Sequence, residues 1–490
     1  MDLEHDRCYR AVRSRDRRFD GRFFTAVTTT GIFCRPVCPA RTPRRENVTF
    51  FRTAAAAEGA GFRPCRRCRP EAAPGSAAWD EPSALVGRAL RLIDDGALDE
   101  SNGEGLAGRL GISERQLRRL FGAQLGTTPS AIARSRRGHL ARRLLDDTDL
   151  PISTIAFASG FRSLRQFNEV MRAIFKCTPS ELRGRETPVS PTAPVRLRLS
   201  FRPPFDWGAL GDFLGERAIP GVESWDGDRY QRAVDLGETT GVIDVEHDGA
   251  RSELIALLRS EQLPPLLSVS SRLRAMFDLD SDPAAVLQVL SDDEGLRRLV
   301  ERRPGLRVPG VWDPFEAVVR AIIGQQISVD AARSVVTRVA HSYGRPLRGF
   351  ENVGPSRTFP GAEQLASAPL EDAGATARGA DAIRTLAKMH LDGELVQASA
   401  RGADHLTDVL AGVRGVGPWT AAYIGLRGFG EPDAFPAADL GLRKGAARLF
   451  GEIPSAGELG RRAERWRPWR SYAALQLWTG PNQEKEESWS

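Results

Sequence analysis

The sequence has no run of 18 or more apolar residues, although 41% of its 490 residues are hydrophobic. That argues against a membrane-spanning helix. The opening Met1-Asp-Leu-Glu-His-Asp6 is acidic and has no apolar core, which argues against a secretory signal and for the cytoplasm. Lysine is scarce: Lys176, Lys388, Lys444 and Lys485 are the only four among 69 basic residues. An arginine bias suits phosphate recognition, but a GC-rich genome produces the same bias and suffices to explain it. Cysteine is scarce too, at six. In a cytosolic chain, paired cysteines point to a metal more often than to disulfides. No internal repeat of fixed period is visible.

A chain of this length exceeds a single core, and about 150 residues per domain gives roughly three or more domains. The net charge of +6 is unevenly spread. Residues 1–186 hold 33 Lys+Arg against 22 Asp+Glu, a net of +11, and the remainder is at −5. A basic N-terminal part suits a polyanion such as nucleic acid, or is a solvated surface. Glu71 to Pro82 is rich in Ala, Pro and Gly and reads as a linker. Helical spacing runs from about Ser83 to Arg185. Thr187-Pro-Val-Ser-Pro-Thr-Ala-Pro194 then cannot continue a helix and marks the clearest boundary. Val195 to Phe201 alternates as a half-buried strand. Asp282 to Trp478 is mainly helical, and Gly480 to Ser490 is a polar tail.

Cys34-x3-Cys38 and Cys65-x2-Cys68 are two close pairs separated by 26 residues. Each supplies two thiolates from one turn, and two such turns complete a tetrahedral zinc site. No histidine has ligand spacing to them. Such a site is structural, or one thiolate is also a nucleophile, since coordination keeps sulfur deprotonated. Four thiolates on Zn²⁺ leave a net charge near −2. Alkylating one thiolate removes one negative charge and favours binding to phosphates. Spacing does not choose between the two roles.

The segments Thr29–Arg41, Arg45–Phe50 and Gly61–Cys68 resemble the N-terminal domain of the Ada adaptive-response family, over about residues 5–72. The resemblance implies that Cys34 irreversibly accepts a methyl group from a DNA methylphosphotriester and that all four cysteines hold one zinc ion. Cys8 and Cys177 fall outside the pattern and read as small buried residues. A Pro-Cys-His-Arg motif, carried by many full Ada proteins for O6-methylguanine repair, is absent from the chain.

Leu106–Phe121 and Ile152–Arg172 share a plan: a short helix, a glycine turn and a second helix opened by Ser113 or Ser163. The second helices turn Arg and Gln outward, either toward a major groove or simply toward solvent on a helical bundle. The pair resembles the two helix-turn-helix units of AraC-type regulators, including Thr178–Arg183, with Cys177 standing where the family has Gly. The resemblance implies that Arg115, Gln116, Arg118, Arg119, Arg162, Ser163, Arg165 and Gln166 face DNA.

Val413-Arg-Gly415-Val-Gly417-Pro-Trp-Thr-Ala421 is a Gly-x-Gly turn between helical stretches. Such glycines let backbone N–H groups approach a phosphate at a helix N-terminus. Asp439 follows in Phe435-Pro-Ala-Ala-Asp439, as a helix N-cap, a carboxylate beside a developing cation, or both. With Phe205-Asp-Trp207, Asp313–Val329 and Ala463–Trp478, these motifs resemble helix-hairpin-helix glycosylases of the AlkA type (DNA-3-methyladenine glycosylase II) over about 195–480. The resemblance implies flipping of the alkylated base and hydrolysis of its glycosidic bond, with Asp439 stabilising an oxocarbenium-like sugar. It further implies a base pocket of Tyr423, Trp478 and Trp419, phosphate contacts at Gly415 and Gly417, and a monovalent cation at the hairpin. Tyr423 and Trp478 are otherwise plain core residues. Trp419 replaces the lysine of lyase-type relatives, so the expected enzyme is monofunctional. Gln326 stands where the AlkA type inserts a leucine into the base stack.

The implied architecture is multidomain α+β. A zinc-bound α/β domain (1–75) is followed by an all-α double helix-turn-helix domain (83–186). Then come a small antiparallel-sheet domain with helices (195–285) and a helical helix-hairpin-helix glycosylase domain (286–480). The expected protein is a cytoplasmic, nucleoid-associated bacterial monomer that binds double-stranded DNA and RNA polymerase. Two rivals remain: a regulator with an inactive glycosylase-like scaffold, and a purely structural zinc domain.

Overall fold

The computed structural model describes residues 4–70, 73, 84–94, 96–100, 102–148, 150–183, 194–325, 327–347 and 354–479. The two linkers lie almost entirely outside these residues, and Gln326 and the tail lie outside them altogether. The chain forms two compact units that alternate along the sequence: Met1–Pro203 with Leu236–Arg274 and Leu279–Ser281, and Pro204–Asp235 with Ala275–Asp278 and Asp282–Ser490.

The first unit begins with a four-stranded sheet. Phe24–Val27 runs antiparallel to both Ile32–Cys34 and Val48–Phe51, and the short Arg63–Pro64 pairs with Ile32–Cys34 in parallel. Helix His5–Ser14 buries Cys8, Ala11 and Val12 with Phe23. Phe24, Ala26, Phe33 and Ala57 form a second small cluster. Cores this small are marginal by themselves, which is where a metal crosslink matters most.

Six helices follow the expected helix-turn-helix plan among the described residues, from Gly103–Arg109 to Pro179–Arg183, with the 19-residue Pro129–Asp147 between the two halves. Ser113 and Ser163 each accept the N–H of the third helical residue, Gln116 or Gln166, at 3.2 Å. Gly111 (φ +71°) and Gly160 (φ +82°) make the turns in the left-handed region, where glycine carries no Cβ penalty. Leu117, Phe121 and Leu125 face inward on the first second-helix, and Phe167, Val170, Met171 and Ile174 on the other. Val195–Ser200, Glu253–Ser260 and Thr240–Asp248 complete the unit as an antiparallel ladder in that order. Val195–Ser200 alternates at its start as the sequence predicts, with Val195 buried and Arg196 exposed.

In the second unit the helix Pro314–Ile323 is the hub. Eight of its ten residues are buried, and Asp313 caps it by accepting from Phe315 N at 2.8 Å. A charged network lies beside it: Arg232 pairs with Glu223 (2.9 Å) and Glu316, and Arg320 with both carboxylates. Burial alone would push Glu223 up, but Arg320 and Arg232 outweigh it and hold the carboxyl at about 2. A predominantly helical shell runs on to Arg470–Thr479.

Candidate functional site

Three sequence-marked groups are brought together at Asp439. It caps helix Leu440–Phe450, its Oδ1 accepting from Leu442 N at 2.7 Å. Trp478 Nε1 donates to the same oxygen at 2.9 Å, and Trp419 Nε1 donates to Oδ2 at 2.9 Å. Three N–H donors therefore converge on one carboxylate and fix its plane. Asp439 is thus a helix N-cap, and its carboxylate also lies against two indole N–H groups.

Tyr423 completes an aromatic wall. Its ring stacks on Trp419 (centroids 5.5 Å apart, planes at 22°) and meets Trp478 edge-on at 6.4 Å. All three rings and Asp439 line one cavity of about 1150 Å³. Burial would raise the Tyr423 phenol, but Arg427, Arg217 and Arg320 hold it below its ordinary value. Arg427 donates to the phenol oxygen at 3.1 Å, and its guanidinium lies 4.8 Å from the centre of the Phe213 ring. The sequence reading missed Arg427 and Phe213, because their meeting depends on the tertiary fold.

The Gly-x-Gly turn joins helices Ala403–Ala411 and Pro418–Gly428. Gly415 needs its left-handed backbone (φ +102°), and a Cβ there would meet Ala382 Cβ at 3.3 Å. Gly417 is an N-cap without a side-chain cap, and Pro418 opens the helix, so the first turn still offers N–H groups outward. Gln325, also missed, donates through Nε2 to Gly415 O (3.0 Å) and Thr420 Oγ1 (2.8 Å), bracing the turn. Its position in the Gln325-Gln326 pair was the available signal. Ile327 lines the cavity and is 45% exposed.

In the first unit the sheet sets the cysteine geometry. Cys34 ends one strand opposite Thr25, and Cys65 N donates to Phe33 O at 2.9 Å just beyond the parallel strand. The turns Cys38 N to Arg35 O (3.1 Å) and Arg69 N to Cys65 O (3.1 Å) curl each pair into a knuckle. All four sulfur atoms lie within 4.8 Å of one another. Zinc–sulfur bonds of about 2.3 Å in a tetrahedron need sulfurs about 3.8 Å apart, so the donor set fits the ion. Arg35 N donates to Cys68 Sγ at 3.3 Å, as a thiolate prefers, and the Arg35 side chain is tied to Asp20 (Nε–Oδ1 2.9 Å) and to Cys68 O (3.3 Å). Cys8 is buried as expected. Cys177 is not: it is half-buried, with Arg66 Nη2 at 3.8 Å from its sulfur, because Lys176 before it turns the chain left-handed (φ +59°) at the helix end.

Arg115, Gln116, Arg118 and Arg119 are exposed on Glu114–Leu125, as are Arg162, Ser163 and Arg165 at Leu164–Phe175. Two of these groups are already engaged: Ser163 Oγ is the cap, and Gln166 Oε1 accepts from Arg162 N at 3.2 Å. Arg118 and Arg165 make exposed ion pairs with Glu114 and Glu169.

Four family models match the chain: the metal binding domain of Ada (residues 7–71), a helix-turn-helix domain (106–185), the AlkA N-terminal domain (196–313) and the HhH-GPD superfamily base excision DNA repair protein (319–471). A protein of Mycobacterium tuberculosis, described as a probable bifunctional transcriptional activator/DNA repair enzyme AlkA, is 41% identical over 98% of this chain and 97% of its own length. DNA-3-methyladenine glycosylase 2 of Escherichia coli is 35% identical over 57% of this chain and 95% of its own. Among solved structures, a 3-methyladenine DNA-glycosylase from Archaeoglobus fulgidus aligns over 58% of this chain and 97% of its own with a TM-score of 0.51, at 24% identity, a likeness of fold.

Proposed function

This chain belongs to the bifunctional transcriptional activator/DNA repair enzyme AlkA family, and we propose that it excises alkylated bases through Asp439 and takes methyl groups from DNA onto Cys34. It is a DNA glycosylase joined to a zinc-binding, helix-turn-helix regulator, and it acts on double-stranded DNA. The observation that carries the excision reading is the Asp439 carboxylate, held by two indole N–H groups in the wall of an aromatic cavity.

A purine alkylated at N3 or N7 is cationic, and 3-methyladenine is the proposed substrate. The electron-rich faces of Tyr423, Trp419 and Trp478 suit such a base once it is flipped out. The glycosidic C–N bond breaks, its electron pair leaving with the base. Asp439 stabilises the cationic sugar, orients the water that adds to C1′ and takes the proton that this water loses. No lysine stands at Trp419, so the product is an abasic site with the strand intact. Gly415 and Gly417 present backbone N–H groups to a phosphate, and Gln326 fills the gap left by the flipped base. A monovalent cation at the hairpin would rest on main-chain carbonyls. Val413 O and Gly415 O already accept from Val416 N and Gln325, and each keeps one lone pair.

Cys34, Cys38, Cys65 and Cys68 would hold zinc, which keeps the sulfurs as thiolates at neutral pH. The Cys34 sulfur attacks the methyl carbon of a methylphosphotriester. A C–S bond forms, the C–O bond breaks and a phosphodiester anion leaves, so each chain reacts once. Loss of one negative charge then favours DNA binding through Arg115, Gln116, Arg118, Arg119, Arg162 and Arg165, with Ser163 and Gln166 setting the helix start. Recruitment of RNA polymerase and a cytoplasmic, monomeric state complete the proposal.

The test is release of 3-methyladenine from methylated DNA by wild type and by Asp439→Asn. Release by wild type alone supports the assignment. Equal background release by both proteins leaves the glycosylase half as a scaffold.

A further inference from the structure

Within the first unit, the metal-binding module and the sheet that opens the glycosylase half meet beside the cysteine cluster. Asp20, Arg35 and Cys68 belong to the Ada match, and Phe201 and Pro203 to the AlkA N-terminal match. These five residues line one cavity of about 560 Å³. Arg202, between the last two, is only 1% exposed. It reaches across to the other module: Nε donates to Asp20 O at 3.1 Å, and Nη1 donates to Asp280 O at 3.0 Å. Neither the excision step nor the attack by Cys34 uses this guanidinium directly.

Asp20 is the next link. It follows the turn Arg17–Phe19 and is 5% exposed, and its carboxylate takes the Arg35 guanidinium, with Nε at 2.9 Å from Oδ1. Arg35 directly follows Cys34 in the chain, yet it holds the other cysteine pair. Its backbone N donates to Cys68 Sγ at 3.3 Å, and its Nη1 donates to Cys68 O at 3.3 Å. An N–H donor stabilises the charge on a thiolate and so makes that sulfur a weaker nucleophile. Cys68 is also buried, whereas Cys34 is half-buried.

We propose that Arg202 is a positioning residue for methyl acceptance: through Asp20 and Arg35 it fixes Cys68 in the zinc site and leaves Cys34 as the sulfur that is alkylated. The inference rests on the acceptor reading of Cys34. It makes the first sheet of the glycosylase half part of the frame of the methyl acceptor, so the two activities do not separate cleanly at the proline-rich boundary.

The experiment compares the zinc-loaded full chain with Asp20→Asn, Arg202→Lys and the double variant. The lysine keeps the charge but cannot hold both carbonyls as the forked guanidinium does. Zinc affinity, read by competition with a chromogenic chelator, should fall about tenfold in each single variant, the usual scale for a residue behind a metal ligand. The double variant should match Asp20→Asn, because both substitutions act through one contact. Methyl iodide, which needs no DNA, then reads the choice of sulfur: the thiolate forms a C–S bond, and iodide leaves with the electron pair of the C–I bond. Peptide mass spectrometry should find the methyl group on Cys34 in wild type and shared with Cys68 in the variants, a redistribution that loss of fold does not produce. Wild-type zinc affinity in the folded variants, a methyl group still confined to Cys34, or additive effects in the double variant overturns the proposal. Where Arg202→Lys fails to fold, hydrogen exchange on wild type takes its place. Coupling is reciprocal, so stripping zinc must raise exchange at residues 196–203 as well as 17–23; unchanged exchange at 196–203 overturns the link. The acceptor reading fails separately, if methylated DNA leaves wild-type Cys34 unmethylated.

Discussion

Trp478 Nε1 donates a 2.9 Å hydrogen bond to Asp439 Oδ1, the oxygen that also caps a helix. A single side chain of the last described helix thus fixes a carboxylate 39 residues earlier in the chain. Trp478→Phe keeps a ring in the wall and removes only the donor. A hydrogen bond to a charged group contributes about 1.5–3 kcal/mol, so base release slows about tenfold or more while binding of abasic-site DNA changes little. A Trp478→Phe rate equal to wild type, in single-turnover base release, would sink this role for the indole.

The hairpin brace is testable apart from the chemistry. Gln325→Leu removes the donor to Gly415 O and Thr420 Oγ1 and leaves the buried Thr420 hydroxyl and the Gly415 carbonyl with less to bond. A cost of about 1–3 kcal/mol in stability is expected. Weaker duplex binding, read by fluorescence anisotropy, should accompany it.

The Glu223 network makes stability depend on acid. Its folded value is depressed, so its contribution is fully present above the ordinary 4.5 and is lost as pH falls toward about 2. The loss amounts to roughly 3 kcal/mol. Denaturant melts between these limits should show that slope in wild type. Glu223→Gln strands Arg232 and Arg320, costs about 3–5 kcal/mol near neutral pH and flattens the slope.

Zinc removal should act locally. A chelator should abolish methyl transfer and lower the melting temperature of the N-terminal part, whose hydrophobic clusters are small. Base release should persist. Mass spectrometry after methylated DNA should find one methyl group on Cys34 in the zinc-loaded chain and none in Cys34→Ser.

On the regulator, Arg115→Ala should weaken promoter binding. If Arg115 reads a base edge, the loss is about 1–3 kcal/mol at one operator position. If it meets a phosphate, the salt slope falls by about 1 at every sequence. Competition binding across salt concentrations separates these.

Local chemistry explains what the sequence showed well. Ser113, Ser163 and Asp439 are caps because their side-chain oxygens accept N–H groups three residues on, and that is readable from spacing. The cysteine knuckles are equally local. The partnership of Trp419 and Trp478 with Asp439 was not legible as hydrogen bonding; the family resemblance put them in a pocket without saying what their N–H groups do. Arg427 against Tyr423 and Phe213, and Arg232 against Glu316, join residues whose approach depends on the fold. The expected burial of Cys177 failed because a left-handed Lys176 turns it toward Arg66.

The alternation of the two units along the chain bears on how the protein can be cut. Its backbone passes from one unit to the other five times, so no single proteolytic nick frees either intact. A fragment starting at Pro204 loses Val195–Ser200 and strips the hydrogen-bonding edge of Glu253–Ser260. A bare, apolar edge of that kind invites another copy to pair with it. Such a fragment should aggregate, while one that begins a dozen residues earlier keeps its edge strand and stays dispersed.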